Sequence, residues 1–384
     1  MTTEICSQTL CTGCGACVAA CPKRCISLQP NPQGHLLPVI DIKTCVNCNL
    51  CRKTCPVNSP VPLHEPNACY AGWAKDEQDR TTSSSGAASS VFAVHFIQKG
   101  GIVYGAALQD QRVQHIRVSK MEDLARIKGS KYVYSYAAEV YPQIKQDLSD
   151  GKQVLFLGSP CQNAAVYNLV GDNPNLTLVN LICHGVPSMQ ILLDHLKSKH
   201  ITEIKKIQFR NNNDTYNFCC NDYKALEHIF PDIYVTCFLK GYTYRDSCYN
   251  CAYAQAKRTG DITIGDFWGL GKETPFEGGD TSKGCSVIII NTSKGKELLE
   301  TCQGKLQLFP RKYQEAVDGN SQLRAPVSQK KLASKFNKYY PKYSFNMAVW
   351  LTVPRLLGIR VLKNILKRYT PVAKVQKFLK NLFS

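Results

Sequence analysis

The stretch CTGCGACVAACP, residues 11–22, carries four cysteines in the spacing C-x2-C-x2-C-x3-C and closes with a proline. The same spacing returns 34 positions later in CVNCNLCRKTCP, residues 45–56. Two copies of one motif predict a compact module in which each copy builds an equivalent site. The repeat places eight cysteines at regular intervals, namely Cys11, Cys14, Cys17, Cys21, Cys45, Cys48, Cys51 and Cys55.

This spacing is typical of two-cluster bacterial ferredoxins, in which the fourth cysteine of each run binds the other 4Fe-4S cluster. It predicts one cluster on Cys11, Cys14, Cys17 and Cys55 and a second on Cys45, Cys48, Cys51 and Cys21. Gly13, Gly15 and Ala16 leave backbone amides free to point at the cluster sulfides. Zinc is the alternative occupant, but two four-cysteine runs that each end in Cys-Pro favour iron–sulfur. Cys6 and Cys25 fall outside the pattern, and we expect buried thiols there.

The composition fits two or three domains with an ordinary core, because the chain has 384 residues of which 44% are hydrophobic. Its 20 cysteines are too many for chance in a protein whose thiols stay reduced. The amino terminus has no signal-like pattern, and no later run reaches the roughly 18 apolar residues of a membrane span. We therefore expect a cytoplasmic protein.

Prolines recur through PVNSPVPLHEPN, residues 56–67, and predict a domain boundary. Beyond it, short β-rich runs alternate with helical stretches. Strands are predicted near 70–74, 101–108, 113–119, 154–158, 176–183, 206–210, 261–267 and 286–291, and helices near 87–99, 136–149, 161–170, 187–199 and 294–303. The chain thus predicts an α+β ferredoxin-like two-cluster module over 1–60, an α/β domain with a mixed, partly parallel sheet over 68–320, and a helical basic tail over 321–384.

Four further cysteines lie at promising positions in the large domain. Cys161 lies in GSPCQ after the apolar run VLFL, and Cys183 opens CHGVPS after LTLVNLI. YRDSCYNCAYA adds Cys248 and Cys251 in C-x2-C spacing. Ligand sites of such sheets lie beyond the carboxyl ends of strands, so these thiols are candidates for another cluster. Spacing alone leaves alternatives: GSPCQ also occurs around the attacking thiol of cytosine-C5 DNA methyltransferases, and other thiols are available at Cys219, Cys220, Cys237 and Cys285.

The order of the motifs carries a resemblance to a known family. The two-cluster module is followed by SSSGAASS (83–90), GSKYVYS (129–135), GSPCQ (158–162), CHGVPS (183–188), YRDSCYNCAYA (244–254) and DITIGDFWG (261–269). Together these resemble the family of coenzyme F420 hydrogenase/dehydrogenase beta subunits over residues 6 to about 320. The resemblance implies a large domain that binds FAD and a 4Fe-4S cluster. The chain is most similar to members associated with polysaccharide biosynthesis, which also join both parts in one polypeptide.

The resemblance makes four cysteines the ligands of a third 4Fe-4S cluster: Cys161, Cys183, Cys248 and Cys251. The methyltransferase alternative needs a glycine-rich cofactor loop and an E-N-V string after Cys161, and the sequence has neither. The other cysteines of this domain are expected to be buried structural thiols, namely Cys69, Cys219, Cys220, Cys237, Cys285 and Cys302.

The implied flavin needs backbone donors and small hydroxyls around its pyrophosphate. Ser84, Ser85 and Gly86, just before a predicted helix, offer that chemistry, and Ser130 and Lys131 add a hydroxyl and a cation. A capped helix and a polar loop are the alternative interpretation. No G-x-G-x-x-G follows a predicted strand, so a standard dinucleotide site is not expected.

The sequence identifies no catalytic residue outright, and two residues are candidates. His184, beside Cys183, is a candidate proton donor, although a hydrogen-bonded supporting histidine is the alternative. Asp266, in GDFWG, is a candidate to orient substrate or bond the flavin, with Phe267 or Trp268 stacking nearby. A packed turn would explain the same residues.

The net charge of +18 is concentrated in the tail, since residues 319–384 contain fourteen Lys or Arg and no Asp or Glu. Two lysine-rich amphipathic segments are predicted at 361–369 and 374–382. Such segments bind anionic membranes, which would place the chain at the inner face of the membrane; the alternative is that they dock on the protein itself. No nucleic-acid motif accompanies the basic tail, so nucleic acid is not an expected partner.

These observations predict a flavin-dependent iron–sulfur oxidoreductase. Electrons from a ferredoxin-like donor would pass through the clusters to FAD and an organic substrate, and the resemblance suggests polysaccharide biosynthesis as the setting. The flavin matters because clusters carry single electrons whereas organic reductions need pairs. The alternative is an electron-transfer subunit without a substrate of its own, which serves a partner redox enzyme.

Overall fold

The computed structural model describes residues 4–210, 218–225, 232–328 and 330–354. Its amino-terminal part repeats one small unit, as the sequence predicts. Helix α1 (Ala16–Ala20) lies within the first cysteine run and ends just before its fourth cysteine, and α2 (Leu50–Thr54) has the same place in the second run. Strands β1 (Ile26–Pro30) and β2 (Leu36–Ile40) pair antiparallel between the two helices in the chain. The predicted ferredoxin-like arrangement of this part stays a prediction.

Both cysteine loops need left-handed backbone at equivalent positions. Gly13 and Gly15 have positive φ in the first loop, and Asn47 and Asn49 have positive φ in the second. Glycine adopts this conformation without cost, and asparagine tolerates it better than most residues. The first loop has a second reason for glycine, because a side chain at Gly13 would lie 2.5 Å from the Arg245 guanidinium.

The large domain is built on an eight-stranded mixed sheet in the order β13-β3-β12-β11-β7-β6-β4-β5. The central pairs β11/β7, β7/β6 and β6/β4 are parallel, and the outer pairs are antiparallel, so the predicted mixed, partly parallel sheet is confirmed. The strands are β3 (Ala68–Ala74), β4 (Ile102–Gln109), β5 (Arg112–Val118), β6 (Val154–Gly158), β7 (Leu176–Leu181), β11 (Ile262–Asp266), β12 (Ser286–Ile290) and β13 (Leu306–Arg311).

Helices cover both faces of this sheet, which explains why its central strands are almost wholly apolar. Alternate residues point to opposite faces: Val103 and Leu155 pack towards α4 (Ala88–Gln98) and α10 (Ser293–Cys302), whereas Tyr104 and Phe156 pack towards α6 (Tyr141–Ser149) and α7 (Pro160–Val170). Ala16 of α1 joins the second of these cores, so the amino-terminal part packs directly on the large domain. Short helices α3 (Glu77–Thr82), α5 (Leu124–Ile127) and α11 (Tyr313–Gly319) complete the layers.

A third core lies beside the sheet. It joins α8 (Met189–Lys197) and α9 (Ile233–Leu239) to a small antiparallel sheet of β8 (Ile207–Gln208), β9 (Cys219–Cys220) and β10 (Tyr223–Lys224). Helices α12 (Lys330–Tyr339) and α13 (Phe345–Thr352) pack against it through Phe336 and Phe345, and Tyr340, just after α12, joins the same core. The start of the predicted tail is therefore helical and packed, while 361–369 and 374–382 lie outside the described residues.

In the described ranges, no helix combines the length and apolar character needed to cross a membrane. The domain limits at 60, 68 and 320 stay predictions.

Candidate functional site

The first cysteine group, Cys11, Cys14, Cys17 and Cys55, comes together between α1 and the end of α2. Burial raises the pKa of Cys17, and the other three thiols of the group raise it further. Cys55 therefore lies with the first run, although it closes the second run in the sequence. The spacing predicts such an exchange of fourth cysteines, and the binding of a cluster by this group stays a prediction.

The second cysteine group, Cys21, Cys45, Cys48 and Cys51, frames a separate small cavity of 20 Å³. Cys21, the last cysteine of the first run, lies with the second run. Its thiol is one of the neighbours that raise the pKa of Cys51. Cys48 is exposed, whereas Cys11, Cys17 and Cys55 of the first group are buried. The second group is thus the one nearest to solvent.

The two cysteines outside the repeat lie beside these groups. Cys6 is hydrogen-bonded to Cys11 and Cys55, and this contact lowers the pKa of Cys11 to about 7 and that of Cys55 to about 6. Cys25 is buried, and its sulfur lies 3.3 Å from that of Cys21. Cys6 is therefore in contact with the first cysteine group, and Cys25 is in contact with the second.

The third cysteine group, Cys161, Cys183, Cys248 and Cys251, lines one central cavity of 340 Å³. Cys161 opens α7 directly after β6, and Cys183 follows β7, so two adjacent parallel strands deliver them to the same edge of the sheet. Cys248 lies in a 3-10 turn over Asp246–Asn250, and Cys251 follows it. None of the other six cysteines of the large domain, all within the described ranges, lines this cavity.

The chemistry of these four thiols suits a bound metal cluster. Burial raises the pKa of every thiol in the group, to about 12 for Cys183 and Cys248. Thiolates are the species that bind iron, and a bound metal supplies the positive charge that makes a buried thiolate stable. In the described ranges, no three His, Cys, Asp or Glu side chains lie close enough together to bind a single metal ion. A four-iron cluster is larger than one ion, so its cysteine ligands lie farther apart.

The central cavity also reaches the first cysteine group. Cys14 lines the cavity together with the third group. The Cys14 thiol is one of the neighbours that raise the pKa of Cys161. The Tyr141 hydroxyl donates a 2.8 Å hydrogen bond to the Cys14 carbonyl, and the Tyr134 hydroxyl donates one of 2.6 Å to the Gly13 carbonyl. These bonds fix the first cysteine loop against the cavity wall.

Four of the five predicted flavin residues line this same cavity: Ser84, Ser85, Ser130 and Lys131. The Ser130 amide donates a 2.6 Å hydrogen bond to Ser84 Oγ, so the two motifs meet. Burial lowers the pKa of Lys131 to about 7, and its Nζ donates to the Lys128 carbonyl at 2.7 Å. The amino terminus of α4, which begins after left-handed Ala87, also faces the cavity.

Gly86 is placed differently from the other four. It does not line the cavity; instead, a side chain there would overlap the Gly72 carbonyl oxygen and lie 2.7 Å from the Ser286 amide. Glycine is required here because the serine loop passes directly against the backbones of β3 and β12. Its contribution is to hold the loop close to the sheet.

Both candidate catalytic residues line the cavity. Burial lowers the pKa of His184, which favours the neutral imidazole. Asp266 pairs with the buried Arg210 guanidinium, and that guanidinium lies 5.2 Å from the centre of the Trp268 ring. Trp268 faces the cavity, whereas Phe267 packs in the core formed with α11.

Two buried polar residues stand out among the cavity residues that were not predicted from the sequence. His115 bonds Ser135 Oγ through Nδ1 at 2.9 Å and the Leu157 carbonyl through Nε2 at 3.0 Å, and burial lowers its pKa to about 4. Arg258 is buried beside the third group and donates to the Tyr253 carbonyl at 2.9 Å. Neither residue belongs to a spaced motif, so only their tertiary contacts identify them.

Comparisons with known proteins give one match in the large domain and another in the amino-terminal part. Residues 151–313 match the family model for the C terminus of the coenzyme F420 hydrogenase/dehydrogenase beta subunit, and residues 10–59 match that for a 4Fe-4S dicluster domain. The F subunit of the F(420)H(2) dehydrogenase from Methanosarcina mazei is 23% identical over 221 residues, covering 54% of this chain. That alignment spans only 62% of the relative's own length.

Two further proteins are similar over longer stretches. An uncharacterized protein of Methanocaldococcus jannaschii is 20% identical over 336 residues, which cover 76% of this chain and 86% of that protein. A chain of the F420-reducing [NiFe] hydrogenase complex from Methanosarcina barkeri superposes with a TM-score of 0.48 at 17% identity, over 72% of this chain and 94% of that chain. As its motifs predicted, the chain joins a match to the 4Fe-4S dicluster domain at residues 10–59 to a match, at residues 151–313, to the family model for the C terminus of coenzyme F420 hydrogenase/dehydrogenase beta subunits.

Proposed function

We propose that this chain is a flavin-dependent iron–sulfur oxidoreductase that accepts electrons from a ferredoxin-like donor and delivers them to an organic substrate. Two 4Fe-4S clusters in the amino-terminal part, a third on the large domain, and FAD are the proposed cofactors. Clusters supply one-electron carriage, and a flavin supplies the two-electron step that organic substrates need. The protein's contribution is to hold these groups in order and to tune their potentials.

One observation carries the proposal: the third cysteine group, Cys14 and the two serine-containing motifs all line the central cavity. Four partly buried thiols around one cavity match the number of cysteines that a 4Fe-4S cluster takes. Cys14 links that site to the first cysteine group through the shared cavity wall. The other six cysteines of the large domain do not line the cavity. Only the four cysteines expected to bind the third cluster, among those of this domain, lie around it.

The residues of the same cavity fit the phosphate end of a flavin. The α4 amino terminus presents free backbone amides, and Ser84 and Ser130 provide hydroxyl groups beside it. Lys131 is a buried amine with burial-lowered pKa, and a bound phosphate would favour its charged form. The volume of 340 Å³ falls within the usual range for small-molecule sites, about 300–1,000 Å³.

His184 and Asp266 are the proposed substrate-side residues, since both line the cavity beside the third group. The Arg210 guanidinium pairs with the Asp266 carboxylate and fixes it in place, which suits a residue that orients a substrate. His184 is the candidate for exchanging a proton with the substrate during reduction. The identity of the substrate, including one from polysaccharide biosynthesis, rests on the family resemblance.

An electron-transfer subunit without its own substrate is the second candidate. It is favoured by the relative from Methanosarcina mazei, whose name describes one subunit of a dehydrogenase. Such a chain would pass electrons from its cavity to a partner enzyme.

A reduction experiment separates the two functions. Anaerobic protein with its flavin is reduced with dithionite, the excess is removed, and reoxidation of the flavin is followed at its visible absorption band. Reoxidation by candidate nucleotide-sugar or polyprenyl-linked substrates alone supports the enzyme. Reoxidation only after a partner protein is added supports the electron-transfer role, and failure of the flavin to be reduced contradicts both.

A location at the membrane surface is the last part of the proposal. Met347 and Trp350 are exposed on α13, the last described helix, and the chain continues from there without any acidic residue. Exposed aromatic and basic residues suit an anionic membrane surface. Flotation of anionic liposomes should carry full-length protein but not a version ending at Pro354, and equal flotation of both would remove this part.

A further inference from the structure

We propose that the surface around the second cysteine group is the docking site for an acidic one-electron carrier protein. The inference rests on the proposed function, which makes Cys21, Cys45, Cys48 and Cys51 the ligands of an iron–sulfur cluster. It adds the place of electron entry and the chemistry of the partner that recognises it. We call the exposed surface formed by residues 22–24 and 39–53 the entry face.

Access to solvent distinguishes the second group from the other two. Cys48 is exposed, and the 20 Å³ cavity framed by its group is lined at the surface by Lys23 and Val46. The third group lines the central cavity, and three of the four cysteines in the first group are buried. Electron transfer between proteins needs close approach of the two redox centres, so a partner should bind where a centre is nearest to the surface.

The entry face is unusually apolar for a free surface. Four of the ten large hydrophobic side chains exposed in the described residues lie in the twelve-residue stretch 39–50, namely Val39, Ile42, Val46 and Leu50, which are 43–56% exposed. Single exposed hydrophobic residues need no explanation, but a concentration of them marks an interaction site. Val46 frames the same small cavity as Cys48, and the other three lie within nine residues of Cys48 in the chain, so we assign that site to the second cysteine group.

The charges of the entry face define the partner. Five basic residues are exposed there: Lys23, Arg24, Lys43, Arg52 and Lys53. Residues 4–60 contain only two acidic residues, Glu4 and Asp41, and the Asp41 carboxylate is engaged by the Thr44 hydroxyl and the Lys43 amide. Within the described ranges, none of the five cations forms an ion pair with a carboxylate.

A surface that combines exposed apolar side chains with five unpaired positive charges complements a carrier whose surface combines apolar side chains with carboxylates. The charges would steer the encounter and set its orientation, and the apolar contacts would hold the short-lived complex. One electron then leaves the reduced carrier, which is oxidised, and enters the second cysteine group's cluster, which is reduced. No proton or further reactant is required for this step.

The test uses the full holoprotein and a plant-type [2Fe–2S] ferredoxin of strongly negative charge, reduced beforehand and mixed anaerobically in a stopped-flow instrument. For the wild type, we expect the second-order rate constant to fall at least about tenfold between 0.02 and 0.5 M salt, since salt screens steering. K43E/R52E should lower the rate at low salt about tenfold and remove most of the salt dependence. I42S should slow the reaction at every salt concentration.

Matched controls isolate the entry face. K99E/K120E changes the net charge equally on the exposed surface of the large domain, and M121S removes an exposed hydrophobic residue there. Both should keep the wild-type rate within about twofold. Iron content and the extent of reduction by dithionite, measured for every variant, show that the clusters are intact and reducible without docking.

The outcomes separate the two claims. If dithionite does not reduce the wild-type clusters, the proposed function fails and this inference fails with it. If dithionite reduces every variant but K43E/R52E and K99E/K120E slow the ferredoxin reaction equally, the docking site is wrong and the function stands. Loss of binding to anionic vesicles in K43E/R52E, with unchanged reduction by ferredoxin, would make the entry face a lipid contact and overturn the inference.

Discussion

Arg245 is the residue whose surroundings most need explanation. Its side chain is 2% exposed and reaches from the YRDSCYNCAYA motif to the first cysteine loop, where Nη1 donates to the Cys11 carbonyl at 3.4 Å. The same nitrogen donates to the Leu36 carbonyl of β2 at 3.0 Å. Nε and Nη2 are buried and have no hydrogen-bond partner among the described residues. Such donors are costly unless another group meets them, and a cluster on the adjacent first group would do so.

We expect Arg245→Gln to lower the reduction potential of one cluster, because a buried cation stabilises the extra electron. At an effective dielectric constant near 20, one charge about 8 Å away contributes on the order of 2 kcal/mol, or roughly 90 mV. An EPR-monitored redox titration measures this shift directly. Arg245→Lys should recover most of it, and Arg52→Gln, at an exposed site, should shift nothing. Unchanged potentials in Arg245→Gln would contradict this role.

At the residue level, the sequence supports predictions that rest on the spacing of cysteines, but not those that rest on tertiary contacts. The structure places Cys55 with the first run and Cys21 with the second, while the binding of clusters by these residues stays a prediction. Cys161 and Cys183 were placed by the strands they follow. His115 and Arg258 reach the cavity from ordinary strand and loop positions, so nothing in the sequence distinguished them from packing residues.

At the scale of elements, strands and helices with strong periodicity were found where predicted. The eight predicted strands correspond to β3 to β8, β11 and β12, although β8 belongs to the small sheet. The predicted helix at 136–149 begins only at Tyr141, because residues 136–140 form a bridge and turn instead. Strand β13 was missed, since its alternating run contains a proline and it pairs at the sheet edge with β3.

The close approach of the serine loop to the sheet makes a prediction about Gly86. Gly86→Ala should destabilise the protein by about 1–3 kcal/mol and reduce bound flavin, because its Cβ meets the Gly72 carbonyl and the α4 amino terminus must move. Thermal unfolding and flavin absorbance measure both effects. Gly304→Ala is the matched control, since nothing lies within 4 Å of a Cβ there. Equal thermal stability and equal flavin content in the two variants would mean that the serine loop can shift away from the sheet without cost.

At the scale of the whole molecule, the three cysteine groups form a series from the surface to the central cavity. The second group is nearest to solvent, the first lies where the amino-terminal part packs on the large domain, and the third lines the cavity. The sequence predicted both parts but not their contact, because the bonds between them join distant residues such as Tyr134 and Gly13. Chain order gives no information about such pairings.

The account's central claim is that the central cavity holds a cluster and a flavin, and cofactor analysis of anaerobically purified protein tests it most directly. Iron, acid-labile sulfide and FAD are quantified per chain for the wild type, Cys161→Ser and the control Cys302→Ser, whose thiol is buried in another core. We predict about twelve iron atoms and one FAD in the wild type and the control, and about eight iron atoms in Cys161→Ser. About eight iron atoms and no flavin in the wild type would contradict the claim.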